Sequence, residues 1–283
     1  MGVIRIMPNG LTASMPREGP LEDPEKRGII GGWSRQTTQR LRRWFYGVDG
    51  EALDGFGFAL SLTVRELPPT PGDWRDTREA LLDRVRRDGL IRGQWLTEWQ
   101  RRGVPHMHGA LYLPVGGVEV SQRVLDHWLA VASQWGAGAS GQTVKEIDGL
   151  PGWFRYQAKH SARGVGHYQR ANRPEAWQGS TGRMWGVLGD WPTRSNELEV
   201  DTATFWRFRR RVRSWLIADA RKAGKLERAA WLRGLLRDPE RARSYCRGIG
   251  EFCPEAVAVQ LLMDAAELVG SDSTGVEPPE GGT

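Results

Sequence analysis

"QWLTEWQRRGVPHMHGALYL", residues 94–113, decides how this chain is read. Apolar and polar residues alternate on both sides of Arg101-Arg102-Gly103, the pattern of two half-buried strands joined by a tight turn. A three-residue hairpin loop with glycine in its third, left-handed position is a favoured type. It pairs Gln100 with Val104, and therefore Glu98 with His106 and Leu96 with His108. Directly paired residues share a face, so one face carries Glu98, Gln100, His106 and His108. The other carries Trp95, Trp99, Met107 and Leu111, an apolar face suited to packing on helices. A two-residue loop would move Glu98 to the face opposite the histidines; Gly103 favours the first register.

Two imidazoles at i and i+2 of a strand project the same way and can reach one ion. With a carboxylate opposite, on an open face with room for substrate, they form a divalent-metal constellation rather than two surface histidines of a half-buried strand. The strand "FGFALSLTV", 56–64, extends the pattern. Its large residues Phe56, Phe58, Leu60 and Leu62 join the apolar face. Ala59, Ser61 and Thr63 line the polar one; small side chains there either let a nucleic-acid backbone approach or are ordinary strand alternation.

Bulk composition agrees with a nucleic-acid partner. The net charge is +6 and the pI is about 9.7, which favours an anionic ligand. Only five of the 40 basic residues are lysine (Lys26, Lys145, Lys159, Lys222 and Lys225); arginine suits bidentate phosphate contacts. Cys246 and Cys253 form neither a zinc pattern nor a disulfide framework, consistent with a reducing cytoplasm. No apolar run is long enough for a membrane span, and no GxxxxGK[ST] loop marks an ATP-driven motor.

The expected organisation is α+β: a central antiparallel sheet with helices on one face, followed by an α-helical C-terminal region. Residues 1–30, rich in glycine, proline and charge, are expected to be poorly ordered. The main domain is expected over 31–198, helices over 199–269 and a flexible acidic tail over 270–283. A helix opening at Asp76 is expected after the "PPTPGD" loop and closing at Gly89, another over about 120–135, and a short strand at "QTVKEI". "PGWFRYQAKHSARG", 151–164, reads as a helix closed by Gly164. On it Tyr156 and Lys159, three apart, share a face. They are either a packed aromatic beside a solvated lysine or a phenolate nucleophile beside its cation. In "FWRFRRRVRSWLIADARK", Arg207, Arg209, Arg210, Arg211 and Arg213 are either a duplex-DNA contact or a solvated helix face.

The order of three motifs carries a resemblance: "FALSLTV", then HxH in "PHMHG", then YxxK in "YQAK". Together they resemble the HUH endonucleases, specifically the single-tyrosine rolling-circle replication initiators of plasmids and phages. A glutamate eight residues before the first histidine, and the block "GRMWGVLGDWP" at 182–192, add to it. The similarity runs over about 50–195. It implies a sheet akin to the RNA-recognition and ferredoxin-like folds. It implies Mg²⁺ or Mn²⁺ on His106 and His108 with Glu98 as third ligand. Tyr156 would then be the nucleophile that nicks one strand, keeps the 5′-phosphate and releases a 3′-OH, and Lys159 would orient the phosphate or the phenolate. The implied partners are single-stranded DNA at a replication origin, a host helicase and a host DNA polymerase, with no membrane. Two departures stand out. Position 160 is histidine where two-tyrosine members carry a second tyrosine, and Tyr168 is a poorly spaced substitute. A transposase or a mobilisation relaxase would share this chemistry. A non-catalytic binding module on the same sheet would instead show stacking aromatics on the open face, where this chain has Glu, Gln and His.

Overall fold

A computed structural model of the chain describes residues 1–15, 29–147, 163–237 and 248–272. In chain order its main elements are β1 (Gly2–Met7), β2 (Gly10–Ser14), α1 (Arg35–Gly47), β3 (Phe56–Thr63), α2 (Pro71–Arg87), β4 (Arg92–Trp99), β5 (Pro105–Leu113) and α3 (Val118–Ala132). Then come β6 (Thr143–Glu146), α4 (Tyr168–Ala171), β7 (Trp185–Leu188), β8 (Asn196–Val200), α5 (Thr202–Lys222), α6 (Leu226–Arg237), β9 (Gly248–Phe252) and α7 (Glu255–Asp272). They fall into two compact units. One comprises Glu22–Trp44 and Asp49–Pro192; the other comprises Met1–Leu21, Phe45–Val48 and Thr193–Thr283.

The first unit holds a five-stranded antiparallel sheet in the order β6-β3-β5-β4-β7. Without β7, the succession β3-α2-β4-β5-α3-β6 is the split βαββαβ arrangement of ferredoxin-like folds. The expected α+β class, with its antiparallel sheet and C-terminal helices, is the observed one. Thr70 caps α2 and exchanges hydrogen bonds with Asp73, and Pro71 occupies the first turn. The helix therefore opens five residues ahead of the expected Asp76, inside what the sequence reads as a loop. It buries Trp74, Leu81, Leu82 and Val85. Val120, Val124, Trp128 and Ala132 recur every fourth residue along α3 and are buried too. Both helices pack on the face formed by Phe58, Leu60, Leu62, Trp95, Trp99, Met107 and Leu111. Trp74 and Trp128 meet edge to face, as do Trp99 and Trp177.

The second unit corrects the expectation of a poorly ordered N-terminus. β1 and β2 pair through a two-residue turn at Pro8-Asn9, and β8 and β9 flank them in a four-stranded antiparallel sheet of order β8-β1-β2-β9. "VIRIM" and "LTA" alternate as half-buried strands do. Much of the proline, glycine and charge behind the expectation lies at 16–28, outside the described residues. The C-terminal region is likewise not helical throughout, because β8 and β9 complete this sheet. The first unit also ends at Pro192 rather than at 198. Ile4, Ile6 and Leu11 pack with Phe205, Phe208, Val212 and Leu216 of α5 and Ala258 and Ala265 of α7. Asn9 Nδ2 donates to the carbonyls of Phe45 (3.2 Å) and Val48 (2.6 Å) and ties the turn to that short segment. Buried in this core, the Cys253 thiol is pushed up to about 12 by loss of solvent.

Candidate metal and nucleic-acid site

The hairpin adopts the register expected from its glycine. Gln100 N donates to Val104 O, Glu98 pairs with His106 and Leu96 with His108. Gly103 takes a φ of 78°, which a residue with a Cβ adopts only at a cost. On the other side of β5, Thr63 pairs with His106 and Ser61 with His108. The histidine strand is therefore the centre of the sheet, with small hydroxyl residues on one flank and Glu98 on the other.

The imidazoles of His106 and His108 lie with ring centroids 4.3 Å apart and planes nearly perpendicular. His106 Nε2 is 3.1 Å from Ser61 Oγ, and His108 Nε2 is 3.7 Å from Glu98 Oε2. His108 is buried, His106 half-buried and Glu98 wholly buried. The sequence reading of a fully open polar face is corrected here. Arg163 and, from α4, Arg170 lie against Glu98, and Thr38 of α1 and Trp33 ahead of it hold Arg170.

Two arginines hold that carboxylate. Arg163 Nη1 donates to Glu98 Oε2, and Arg170 Nε stands 3.6 Å from Oε1. Arg170 is fixed in turn by a 2.8 Å hydrogen bond from its Nη1 to Thr38 Oγ1 and by stacking 3.9 Å over the Trp33 ring. Burial lowers the Arg170 guanidinium to about 10, with Glu98 opposing the shift. It stays charged at neutral pH, so Glu98 sits between two cations. Sequence reasoning missed both arginines. They lie 65 and 72 positions from Glu98, beyond any local periodicity.

Two neutral imidazoles and a carboxylate are suitable donors for a divalent cation. As they stand, no three His, Cys, Asp or Glu side chains among the described residues converge closely enough to hold one. The imidazoles lie together, whereas Glu98 is engaged by Arg163, so a metal would use it only if that guanidinium yields.

The other expected site residues are placed unequally. Tyr156 and Lys159 lie outside the described residues. Tyr168 opens α4, is 44% exposed, and has its ring 4.8 Å from that of His167. The five α5 arginines expected at a DNA contact do not form one face. Arg210 is exposed, and Arg207, Arg211 and Arg213 are half-buried. Arg211 Nη1 pairs with Asp264 Oδ2 at 3.2 Å. Arg209 is buried, with its guanidinium over the Trp206 ring at 4.8 Å; it cannot reach a phosphate and is removed from the expected DNA contact. No helix among the described residues is long and apolar enough to cross a membrane.

No protein-family model and no solved structure matches the chain. Three curated proteins do. Two are from Xylella fastidiosa, each named "Putative replication protein". The relative from strain 9a5c is 44% identical over 86% of this chain and 88% of its own length. The relative from strain Temecula1 is 45% identical over 80% and 89%. The third, the replication-associated protein G2P of Pseudomonas phage Pf3, is 40% identical over 83% and 86%. These define the class as replication proteins. The chain belongs to this family, represented in Xylella and in phage Pf3.

Proposed function

We propose that the chain is a site-specific single-strand DNA endonuclease and strand transferase that initiates rolling-circle replication. The observation that carries this reading is the His106–His108 pair on the central strand of a βαββαβ sheet, with Glu98 on the neighbouring strand, in a chain related to replication proteins. His106 and His108 would hold Mg²⁺ or Mn²⁺, with Glu98 as third ligand once Arg163 releases it. When bound, the ion withdraws charge from the non-bridging oxygens of the scissile phosphate.

The remaining steps belong to the chain. Tyr156 Oη attacks the phosphorus. A P–O(Tyr) bond forms, the P–O3′ bond breaks, and the phenolic proton passes to the departing 3′ oxygen. The 5′ end stays on the protein, and the 3′-OH primes a host polymerase while a host helicase opens the duplex. Lys159 orients the phosphate or the phenolate. Ser61 and Thr63, short side chains beside the histidines, leave the strand room to approach. Of the five arginines expected at a DNA contact, Arg207, Arg210, Arg211 and Arg213 remain for duplex phosphates near the origin.

The test is cleavage of single-stranded circles carrying the parent replicon's origin, with Mn²⁺ or with EDTA. Metal-dependent nicking should leave protein covalently on the 5′ end. Tyr156→Phe should abolish the adduct, and His106→Ala should lower the rate by ~10³-fold or more. An adduct that persists in Tyr156→Phe moves the nucleophile to another residue, with Tyr168 next. No adduct with any strand leaves a binding protein without this chemistry.

A further inference from the structure

On the helix-covered side of the first unit, at the β7 edge of its sheet, lies a cavity of about 610 Å³. That size is within the range of ~300–1,000 Å³ usual for small-ligand sites. Arg75 and Arg78 of α2 and Arg183, just ahead of β7, line it together with one carboxylate, Glu79. Trp74 and Leu188 supply apolar wall.

Arg78 is the built part of this site. Its side chain is 6% exposed, and its guanidinium carbon lies over the Trp95 ring, 3.6 Å from the centroid. Trp95 is itself held from behind: a Cβ on Gly186 would come within 2.9 Å of the indole, so only glycine lets β7 pass there. Arg78 Nη2 donates to Glu79 Oε1 at 3.2 Å, while its buried Nε has no hydrogen-bond partner among the described residues. Burial holds the Arg78 guanidinium below the usual arginine range, and the charges of Arg75 and Arg183 push it further the same way against the pull of Glu79. Arg75 also pairs with Asp76 at 2.9 Å, so three cations stand against two carboxylates here, and an anion entering between them takes up the surplus positive charge. A fixed, planar guanidinium suits a phosphate. The apolar wall suits the sugar or base attached to it.

We infer that this cavity is a second nucleic-acid site, which takes one unpaired nucleotide of the DNA strand by its phosphate, on the opposite side of the sheet from the histidines. The choice of a DNA strand rests on the replication reading; the anion site rests on the arginines.

The test is the affinity of the full chain for a fluorescent single-stranded oligonucleotide, read by anisotropy across a salt series in EDTA. Arg75→Ala/Arg183→Ala should weaken binding ~10-fold and flatten the log–log salt slope by about 0.7, the value for one lost phosphate contact on a single strand. Arg87→Ala removes an exposed charge from the same helix outside the cavity and should change neither by much. An iododeoxyuridine-substituted strand should crosslink to the peptide containing Arg183. Equal losses in both variants, or no loss in either, overturn the site. A deoxynucleoside monophosphate that binds in an Arg183-dependent way, with strand affinity untouched, overturns the strand assignment in favour of a free nucleotide. Because EDTA removes nicking from the measurement, a chain that binds in this way and never nicks refutes the endonuclease and leaves the cavity standing.

Discussion

The two sheets treat their second faces differently. In the four-stranded sheet, Ile4, Ile6 and Leu11 point into an apolar core, while Arg5 on the other face pairs with Glu197 at 2.6 Å, their side chains 35% and 51% exposed. An ion pair in that setting contributes about 0–1 kcal/mol. In the five-stranded sheet, the side of β5 turned away from α2 and α3 is polar and also buried: Glu98, His108 and Arg170 are each at most 4% exposed. Charges taken out of water cost several kcal/mol unless fully partnered. The first arrangement is what stability alone produces. The second keeps buried charge where an apolar face would fold as well or better, and so marks the side of the sheet on which chemistry is to be sought.

Five substitutions or titrations test that contrast. Phe208→Ala, in the apolar core of the second unit, should lose about 3–5 kcal/mol in chemical denaturation; a loss under 1 kcal/mol would mean that this core is loosely packed. Glu98→Gln strands two guanidinium charges and should cost about 3 kcal/mol. Pairing it with Arg170→Met should recover much of that, and a double variant no better than the single would sever the proposed link. Arg163→Ala frees Glu98 from its charge-assisted bond, so Mn²⁺ affinity measured by titration calorimetry should rise ~10-fold. A fall would show that Arg163 helps build the metal site instead. Gly103→Ala should cost about 1 kcal/mol from backbone conformation alone, since a Cβ there meets nothing within 4 Å. The last test is a titration. Burial pushes the Tyr112 phenol, on the same face of β5 as the histidines, up to about 12, partly opposed by the Arg92 charge. Its ordinary value is 10.0, so its contribution to stability is complete below pH 10 and lost as pH rises through 12. Ultraviolet absorbance should show a tyrosine ionising late, and Tyr112→Phe should lose that step.

Much of the histidine face was legible in the sequence because its determinants are local. Gly103 sets the loop, the loop sets the register, and the register puts Glu98 opposite His106. The tryptophans on the reverse face follow from the same alternation. What was not legible came from distance or from composition. Arg163 and Arg170 reach Glu98 through tertiary folding, and no spacing rule connects them to it. The β1–β2 hairpin was hidden because proline, glycine and charge just downstream dominated the reading of the first thirty residues, although "VIRIM" alternates cleanly. Arg209 looked like its neighbours in a basic run; helical periodicity alone turns it inward beside Phe205 and Phe208.

The position of β5 has one more consequence. It is hydrogen-bonded along both edges, to β3 and to β4, while β6 and β7 take the outer places. A strand enclosed in this way cannot fray, and its amides exchange with solvent only when the whole unit opens. In hydrogen–deuterium exchange, His106 to Leu113 should therefore be among the slowest amides of the unit, and the spacing of the two imidazoles should hold in every state short of global unfolding.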